Sequence, residues 1–257
     1  MTVVHQTWAI SLRHLRQLYR QWAFVGITLT QPVIWLLLFG ALFRKVTEIP
    51  GFGGGNYESF LTPGIVIMTA LFSAGWTGMT FIDDMESGVM DRMLVAPAWR
   101  AAMMVGSLSY QAVVTIIQSL VIILLGWATG ARFPGGVPGV VVLIAVAVLI
   151  ALAVGALSNG LALVARQRES VIAASTATVL PLSFLSTTFL AAAVMPSWIR
   201  TVSRYNPVNW AVTAGRLAVG SHVPWSTVGS YVAFLAFTVV ACTALATSAY
   251  RSYQRSM

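Results

Sequence analysis

Few residues of this chain are of the types that perform catalysis. The 257 residues include seven acids, three histidines and one lysine, and four of the acids (Asp83, Asp84, Glu86 and Asp91) stand close together. Neighbouring carboxylates can share a proton or hold a metal ion. No histidine is near this group in sequence, and a stretch between two apolar segments should be wet. The alternative interpretation is that Asp83 and Asp84 cap the start of a helix.

A short helix fits the residues that follow. Acids at 83–86 suit the positive end of a helix dipole, Arg92 suits its negative end, and Pro97 stops it. The apolar residues Met85, Val89 and Met93 are spaced four apart and therefore lie on one face. That face is too small to be a core by itself, so the pattern predicts a partner for it.

The sequence contains neither a P-loop for ATP hydrolysis nor the ionisable residues that ion-coupled carriers usually place within the bilayer. A P-loop needs a Gly-Lys-Ser/Thr end, whereas the only lysine, Lys45, lies between Arg44 and Val46. Proton- and sodium-coupled carriers usually place an ionisable residue within the bilayer. The apolar windows of this chain contain no Asp, Glu, Lys or Arg. We therefore expect no catalytic residue, cofactor or metal in this chain.

Neutral polar residues remain within the apolar windows. Thr69, Ser73 and Thr77 fall at i, i+4 and i+8, which places three hydroxyls on one helix face. Three hydroxyls that face lipid would find no polar partner there, so we expect this face to point into the protein. It lines either a polar path or a seam where small residues let two helices approach closely.

Composition and charge spacing define the elements that carry these residues. The chain is 58% hydrophobic and 9% charged, with a mean hydropathy of +0.81, more apolar surface than a soluble domain of this size can hide. A bilayer core about 30 Å thick needs about 20 helical residues. Each charge-free window can hold one such span, and the windows are 21–43, 59–82, 101–131, 133–165, 170–199 and 217–250.

These windows predict an all-α polytopic membrane protein with six transmembrane helices and no soluble appendage. The predicted spans are about 23–43, 60–82, 104–129, 138–164, 171–191 and 228–249. With both termini cytoplasmic, nine Lys/Arg residues lie inside and six outside, as the positive-inside rule favours. The net charge of +8 is then juxtamembrane arginine facing anionic lipid, and we expect no nucleic-acid partner.

The segments outside the spans are also patterned. Within residues 1–22, Trp8, Leu12, Leu15 and Tyr19 share one face, which predicts an amphipathic interfacial helix; a plain extension of the first span is the alternative. Residues 192–227 are too polar to span but too apolar for a free loop, so we expect short re-entrant helices on the outer side. Residues 250–257 form a cytoplasmic tail.

Two stretches resemble a known family, the membrane permeases of type-2 ABC exporters, and most closely the daunorubicin-type drug-efflux branch. The sequence from Glu86 to Arg100 is similar to the family's E-x-G-x-x-x-R-x-L-x-x-P-x-x-R loop. Residues 195–216 are similar to its outer signature between the fifth and sixth spans. Both motifs stand in register with six spans.

The resemblance implies which residues act. The ATPase-coupling segment would comprise Met85, Glu86, Gly88, Val89, Arg92, Met93, Pro97 and Arg100, and the outer signature would comprise Pro196, Trp198, Asn206, Pro207, Trp210 and Arg216. In relatives the cargo path runs between the first, second and fifth spans. Here those spans hold Gln31, Pro32, Thr69, Ser73, Thr77, Ser183, Ser186 and Thr187.

The resemblance also implies partners and location. Two permeases, identical or related, would enclose a path in a bacterial plasma (inner) membrane, and two copies of a separate ATPase would bind ATP and Mg. The expected cargo is an amphipathic drug or lipid-like molecule; a lipid-linked glycan is the alternative. An intramembrane enzyme and an assembly scaffold are the competing classes, and a copurifying ATPase stimulated by cargo would separate transport from both.

Overall fold

The computed structural model describes residues 22–43, 56–88 and 101–255, and within these ranges every regular element is a helix. The predicted all-helical class is therefore confirmed. Four helical stretches there are long and apolar enough to cross a membrane, namely Tyr57–Glu86, Met104–Ala128, Gly136–Ala165 and Trp225–Ser248; a fifth, Gly26–Leu42, is apolar but shorter. Nearly all of the predicted interfacial helix and the segment 89–100 lie outside the described residues.

Nine α-helices follow one another along the described chain. They are α1 (Trp22–Leu42), α2 (Tyr57–Gly75), α3 (Met79–Glu86), α4 (Ala101–Ala128), α5 (Gly136–Ala165), α6 (Arg168–Phe184), α7 (Ser197–Arg204), α8 (Pro207–Val219) and α9 (Trp225–Arg255), with one 3-10 turn at Ala192–Val194. α1 continues through Pro32, which lacks the N–H of an ordinary helical residue.

α2 is the central helix of the bundle. It packs against α1, α4, α5, α6 and α8, and side chains on all its sides, including Leu61, Val66 and Leu71, are inaccessible to solvent. α9 instead leaves Phe237 and Val240 about 70% exposed, at 74% and 67%. A helix that is apolar all round and buried belongs inside, whereas exposed apolar rows suit lipid or another chain.

The second predicted span, 60–82, is two helices rather than one. α2 ends at Gly75, and α3 starts four residues later. The Gly75 carbonyl accepts hydrogen bonds from Ser158 Oγ (2.7 Å) and Ser175 Oγ (2.6 Å), and the Gly78 N–H donates to Ser158 Oγ (3.0 Å). Serines on α5 and α6 thus satisfy backbone groups that a break in a buried helix would otherwise leave unpaired.

The predicted N-cap role of Asp83 and Asp84 is wrong. α3 begins after Gly78, so both aspartates lie in its second half rather than at its start. The helix starts earlier because the break that precedes it is fixed by Ser158, a contact with no local sequence signal.

The fifth predicted span, 171–191, ends early, because α6 stops at Phe184. Asn206 Nδ2 donates hydrogen bonds to the carbonyl oxygens of Leu182 (2.7 Å) and Leu185 (3.0 Å). Carbonyls at a helix C-terminus have no partner within the helix. Asn206, from the segment 192–227, supplies that partner, so the chain leaves the helix although its residues remain apolar.

Candidate functional site

A cavity of about 270 Å³ lies between α1, α2 and α4. Its walls combine aromatic and aliphatic side chains with amides and hydroxyls, and none of the lining residues is ionisable. The lining consists of Ile27, Thr28, Gln31, Pro32 and Trp35 from α1, Ile65, Met68, Thr69, Phe72 and Ser73 from α2, Trp76 from the break after α2, and Gln118 from α4. We refer to it as the α1–α2–α4 cavity.

Four of the predicted path residues line this cavity together. Gln31 and Pro32 come from α1, and Thr69 and Ser73 come from α2. The Thr69 hydroxyl donates a hydrogen bond to the carbonyl of Ile65 at 2.7 Å, within its own helix, so this hydrogen is not available to a ligand. Helical spacing alone puts Thr69 and Ser73 on one face of α2, and the packing of α1 against α2 then brings the two pairs together.

The third member of the predicted stripe, Thr77, lies in the helix break and does not line the cavity. Its hydroxyl donates to Gln111 Oε1 at 3.0 Å. The Gln111 Nε2 group donates to Ser73 Oγ (3.2 Å) and Thr115 Oγ1 (3.1 Å). Both polar atoms of Gln111 are therefore paired, and its carboxamide ties α4 to the end of α2.

Gln118 also lines the cavity, although the predicted path did not include it. Its side chain is 1% exposed, and Nε2 donates to Thr28 Oγ1 at 3.1 Å. Its Oε1 is buried and accepts no hydrogen bond from any residue that the structure describes. The available sequence signal is that Gln111 and Gln118 are seven residues apart, which places them on the same helix face.

The polar patch after α6 lies apart from the cavity lining. Ser183 Oγ donates to the Val179 carbonyl at 2.8 Å, and Ser186 Oγ donates to the Ser183 carbonyl at 2.6 Å. The backbone N–H and the hydroxyl of Thr187 both donate to Asn209 Oδ1, at 3.1 and 2.7 Å. Thr187 thus links the turn after α6 to α8, whereas Ser183 and Ser186 bond carbonyls of their own segment.

Arg216 of α8 also holds the turn after α6 in place. Its guanidinium donates to three carbonyl oxygens, those of Phe60 (3.0 Å), Thr187 (2.6 Å) and Thr188 (2.8 Å). The guanidinium carbon also lies 3.5 Å from the centre of the Phe60 ring, as a cation–π contact requires. Burial lowers the pKa of Arg216 to about 9, so the group remains cationic at neutral pH.

The other residues of the outer signature lie in α7 and α8 or directly before them. Pro196 immediately precedes α7, and Trp198 on that helix is 62% exposed. Asn206 caps α8, with Oδ1 accepting from a backbone N–H at 2.9 Å, and Pro207 occupies the first turn. Trp210 Nε1 donates to the carbonyl at the end of α7 at 2.7 Å. These residues therefore support the backbone of the two helices.

α8 approaches α5 very closely. A Cβ atom at Gly135 or Gly139 would collide with the Ala218 carbonyl oxygen, and the Gly135 N–H donates to the Val219 carbonyl at 3.0 Å. Gly135 and Gly139 therefore allow the end of α8 to lie directly against the start of α5.

At the far end of the broken helix, α3 pairs with α6. Arg168 Nη2 lies 2.6 Å from Asp83 Oδ1 and 2.5 Å from Glu86 Oε2. All three side chains are about half exposed, so the pairs add little stability. Met85 packs against an apolar cluster that includes Phe81, Ile82 and Met104, and Gly88 has a φ of +68° where the described segment ends. No group of three metal-binding side chains occurs within the described ranges.

Sequence comparison decides the family. Residues 5–219 match the ABC-2 type transporter family, most of the chain. This chain belongs to that family. The ABC-2 chain is 31% identical over 189 residues to the daunorubicin resistance ABC transporter permease protein DrrB1 of Streptomyces coeruleorubidus, covering 72% of this chain and 64% of the relative.

Two further relatives cover similar or greater lengths. A putative transport permease, ycf38, of Cyanophora paradoxa is 32% identical over 196 residues, which is 76% of this chain and 67% of the relative. The probable doxorubicin resistance ABC transporter permease protein DrrC of Mycobacterium tuberculosis is 24% identical over 243 residues, covering 93% and 87%. The predicted resemblance is thus confirmed, and the ABC-2 chain is a multi-pass membrane protein.

Proposed function

We propose that this ABC-2 chain is the permease subunit of an ATP-driven exporter, and that its cargo is an amphipathic drug or lipid-like molecule. The observation that carries the proposal is the α1–α2–α4 cavity, which offers aromatic walls together with amides and hydroxyls and no charge. Sites for amphipathic ligands combine an apolar lining with a few placed polar groups. The names of the relatives DrrB1 and DrrC, which refer to drug resistance, point to the same cargo class.

The proposed energy source is a separate ATPase. The sequence has a single lysine and no P-loop, so ATP and Mg would bind to a partner present in two copies. We place the docking site in the segment 83–100. The described part of that segment includes the second half of α3, which follows the break that holds the cavity residue Trp76 and is ion-paired to α6, so a displacement of α3 would be transmitted to both.

The proposed assembly contains two permeases in a bacterial plasma membrane, with six spans each and both termini inside. The four long apolar stretches and the shorter Gly26–Leu42 supply five spans, and α6, covering Arg168–Phe184, would be the remaining one. At about 270 Å³ the cavity is small for a drug-sized molecule, which supports a path completed by a second copy.

Docking is tested by copurification of an ATPase with the tagged permease. Met93→Asp should abolish association while membrane insertion is kept, because a charge would enter the apolar face of the docking segment. Val137→Asp is the matched control, since Val137 is 76% exposed at the start of α5. Unchanged copurification with Met93→Asp would count against this docking site.

Transport through the cavity is tested by Ser73→Leu. The larger side chain should fill the cavity and change export and cargo-stimulated ATPase activity in an intact complex. Ser230→Leu is the control, because Ser230 is exposed on α9 and bonds only its own helix. A loss of assembly with Ser73→Leu would instead support the packing-seam alternative, and export at the parental level would contradict the path.

A further inference from the structure

Two glutamines on α4 perform different tasks. Gln111 and Gln118 lie on the same face, two turns apart, and both are almost fully buried. The carboxamide of Gln111 has each polar atom paired, with Thr77 on its oxygen and with Ser73 and Thr115 on its nitrogen. The oxygen of Gln118 has no such partner among the described residues.

The Gln118 oxygen that has no partner among the described residues belongs to a buried side chain at the cavity wall. The side chain is 1% exposed, is anchored through Nε2 to Thr28, and contributes to the wall of the α1–α2–α4 cavity. A buried acceptor without a donor is unfavourable, so such groups in native proteins usually meet a ligand, a water or an ion. The hydrogen bond to Thr28 Oγ1 ties the carboxamide to α1, which keeps its acceptor at the cavity wall.

The rest of the lining indicates what would approach that oxygen. Trp35, Phe72 and Trp76 give flat apolar walls, and no side chain of the described residues donates to the Gln118 oxygen. A ligand that fits is therefore largely apolar, with aromatic or aliphatic bulk, and the donor that pairs with this oxygen must come from the ligand.

We propose that Gln118 is a specificity-determining residue of this cavity, and that its Oε1 accepts a hydrogen bond from a hydroxyl or N–H group of the cargo. This inference rests on the proposed function of the cavity as a cargo site. It narrows the cargo class from amphipathic molecules in general to those with a donor on an apolar scaffold. Molecules of the same shape whose only polar atom is an acceptor would be discriminated against.

A matched pair of probes tests the proposal on the full chain in nanodiscs without nucleotide. The probes are 2-naphthylmethanol and its methyl ether, which share the apolar ring but differ in the donor. Equilibrium dialysis against permease nanodiscs, with empty nanodiscs subtracted, gives the two affinities. We expect the alcohol to bind about five- to tenfold more tightly than the ether, the range of one net hydrogen bond.

The same ratio measured in variants assigns the preference to one atom. Gln118→Met keeps the length of the side chain without an acceptor and should reduce the ratio to below about twofold. Gln118→Leu repeats the test with a better-packing side chain. Gln111→Met is the control, because its carboxamide is already paired: it should keep the ratio and lower the melting temperature.

Three outcomes would overturn the inference. These are no preference in the parent protein, a preference that survives in both Gln118 variants, and no binding of either probe above empty nanodiscs. The proposed function fails on a different result, the absence of a copurifying ATPase or of export. A permease that exports but shows no dependence on Gln118 therefore refutes the inference alone.

Discussion

At the scale of single residues, the polar side chains of this permease divide by what they bind. Asn206, Arg216 and Ser158 each bind backbone atoms of distant segments and thereby fix the chain where it leaves helical structure. Gln118 instead lies beside a cavity with an acceptor that no described residue donates to. The distinction matters because residues of the family's outer signature are explained here by structural contacts, without any ligand.

Arg216 provides the residue-scale prediction. Arg216→Lys keeps the charge but replaces a planar fork by a single ammonium, which cannot reach three carbonyls at the same time. We expect a loss of about 2 kcal/mol and a fall in melting temperature of about 5 °C, measured by thermal unfolding in detergent. Arg204→Lys, at the exposed end of α7, should unfold like the parent. Equal melting temperatures for Arg216→Lys and the parent would refute the clamp.

At the scale of elements, both departures from the predicted spans have one cause. The break between α2 and α3 and the early end of α6 each occur where a side chain from another helix supplies hydrogen-bond partners for the backbone. In an apolar environment an unpaired backbone group is expensive, so such irregularities persist only where they are satisfied. The break also joins the cavity residue Trp76 to the ion-paired α3.

Gly78 provides the element-scale prediction. Its φ of −61° is ordinary, so an alanine there suffers no backbone strain, but its Cβ would collide with the Ser158 carbonyl oxygen. Gly78→Ala should therefore displace α3 from α5 and lower the melting temperature by several degrees. Gly229→Ala, with no atom within 4 Å of the new Cβ, should be neutral or stabilising by up to about 1 kcal/mol. Indistinguishable melting temperatures would contradict a tight break.

At the scale of the whole molecule, the proposed orientation places α7, α8 and the residues around them outside. Trp198 and Trp225, which are 62% and 55% exposed, suit a membrane interface there. Ser87, at the end of α3, should then lie on the inner side.

Cysteine labelling in intact cells tests that orientation. In a Cys242→Ala background, Ser197→Cys and Ser221→Cys should react with a membrane-impermeant thiol reagent, because both positions are exposed in the outer segment. Ser87→Cys, equally exposed, should react only after lysis. The reverse pattern of labelling would invert the topology.

Charge spacing and motif spacing were enough to predict a membrane protein of the ABC-2 family. Charges are so costly in hydrocarbon that their spacing alone separates the apolar segments, and four of the six predicted spans have counterparts among the long apolar helices. Motif spacing identified the ABC-2 family because it depends only on local residue order. The placement of Thr69 and Ser73 on one helix face was also predictable, since it follows from helical periodicity.

The helix breaks and the walls of the cavity depend instead on contacts between residues far apart in sequence. Ser158 meets Gly75 across 83 residues of sequence, and Arg216 meets Phe60 across 156. Likewise, Gln118 joins the cavity because α4 packs beside α1, whereas Ser183, Ser186 and Thr187 bond within α6 or to α8. Local patterns encode whether a residue tolerates the bilayer, but partners for backbone groups come from distant segments, and their positions exist only once the helices have packed.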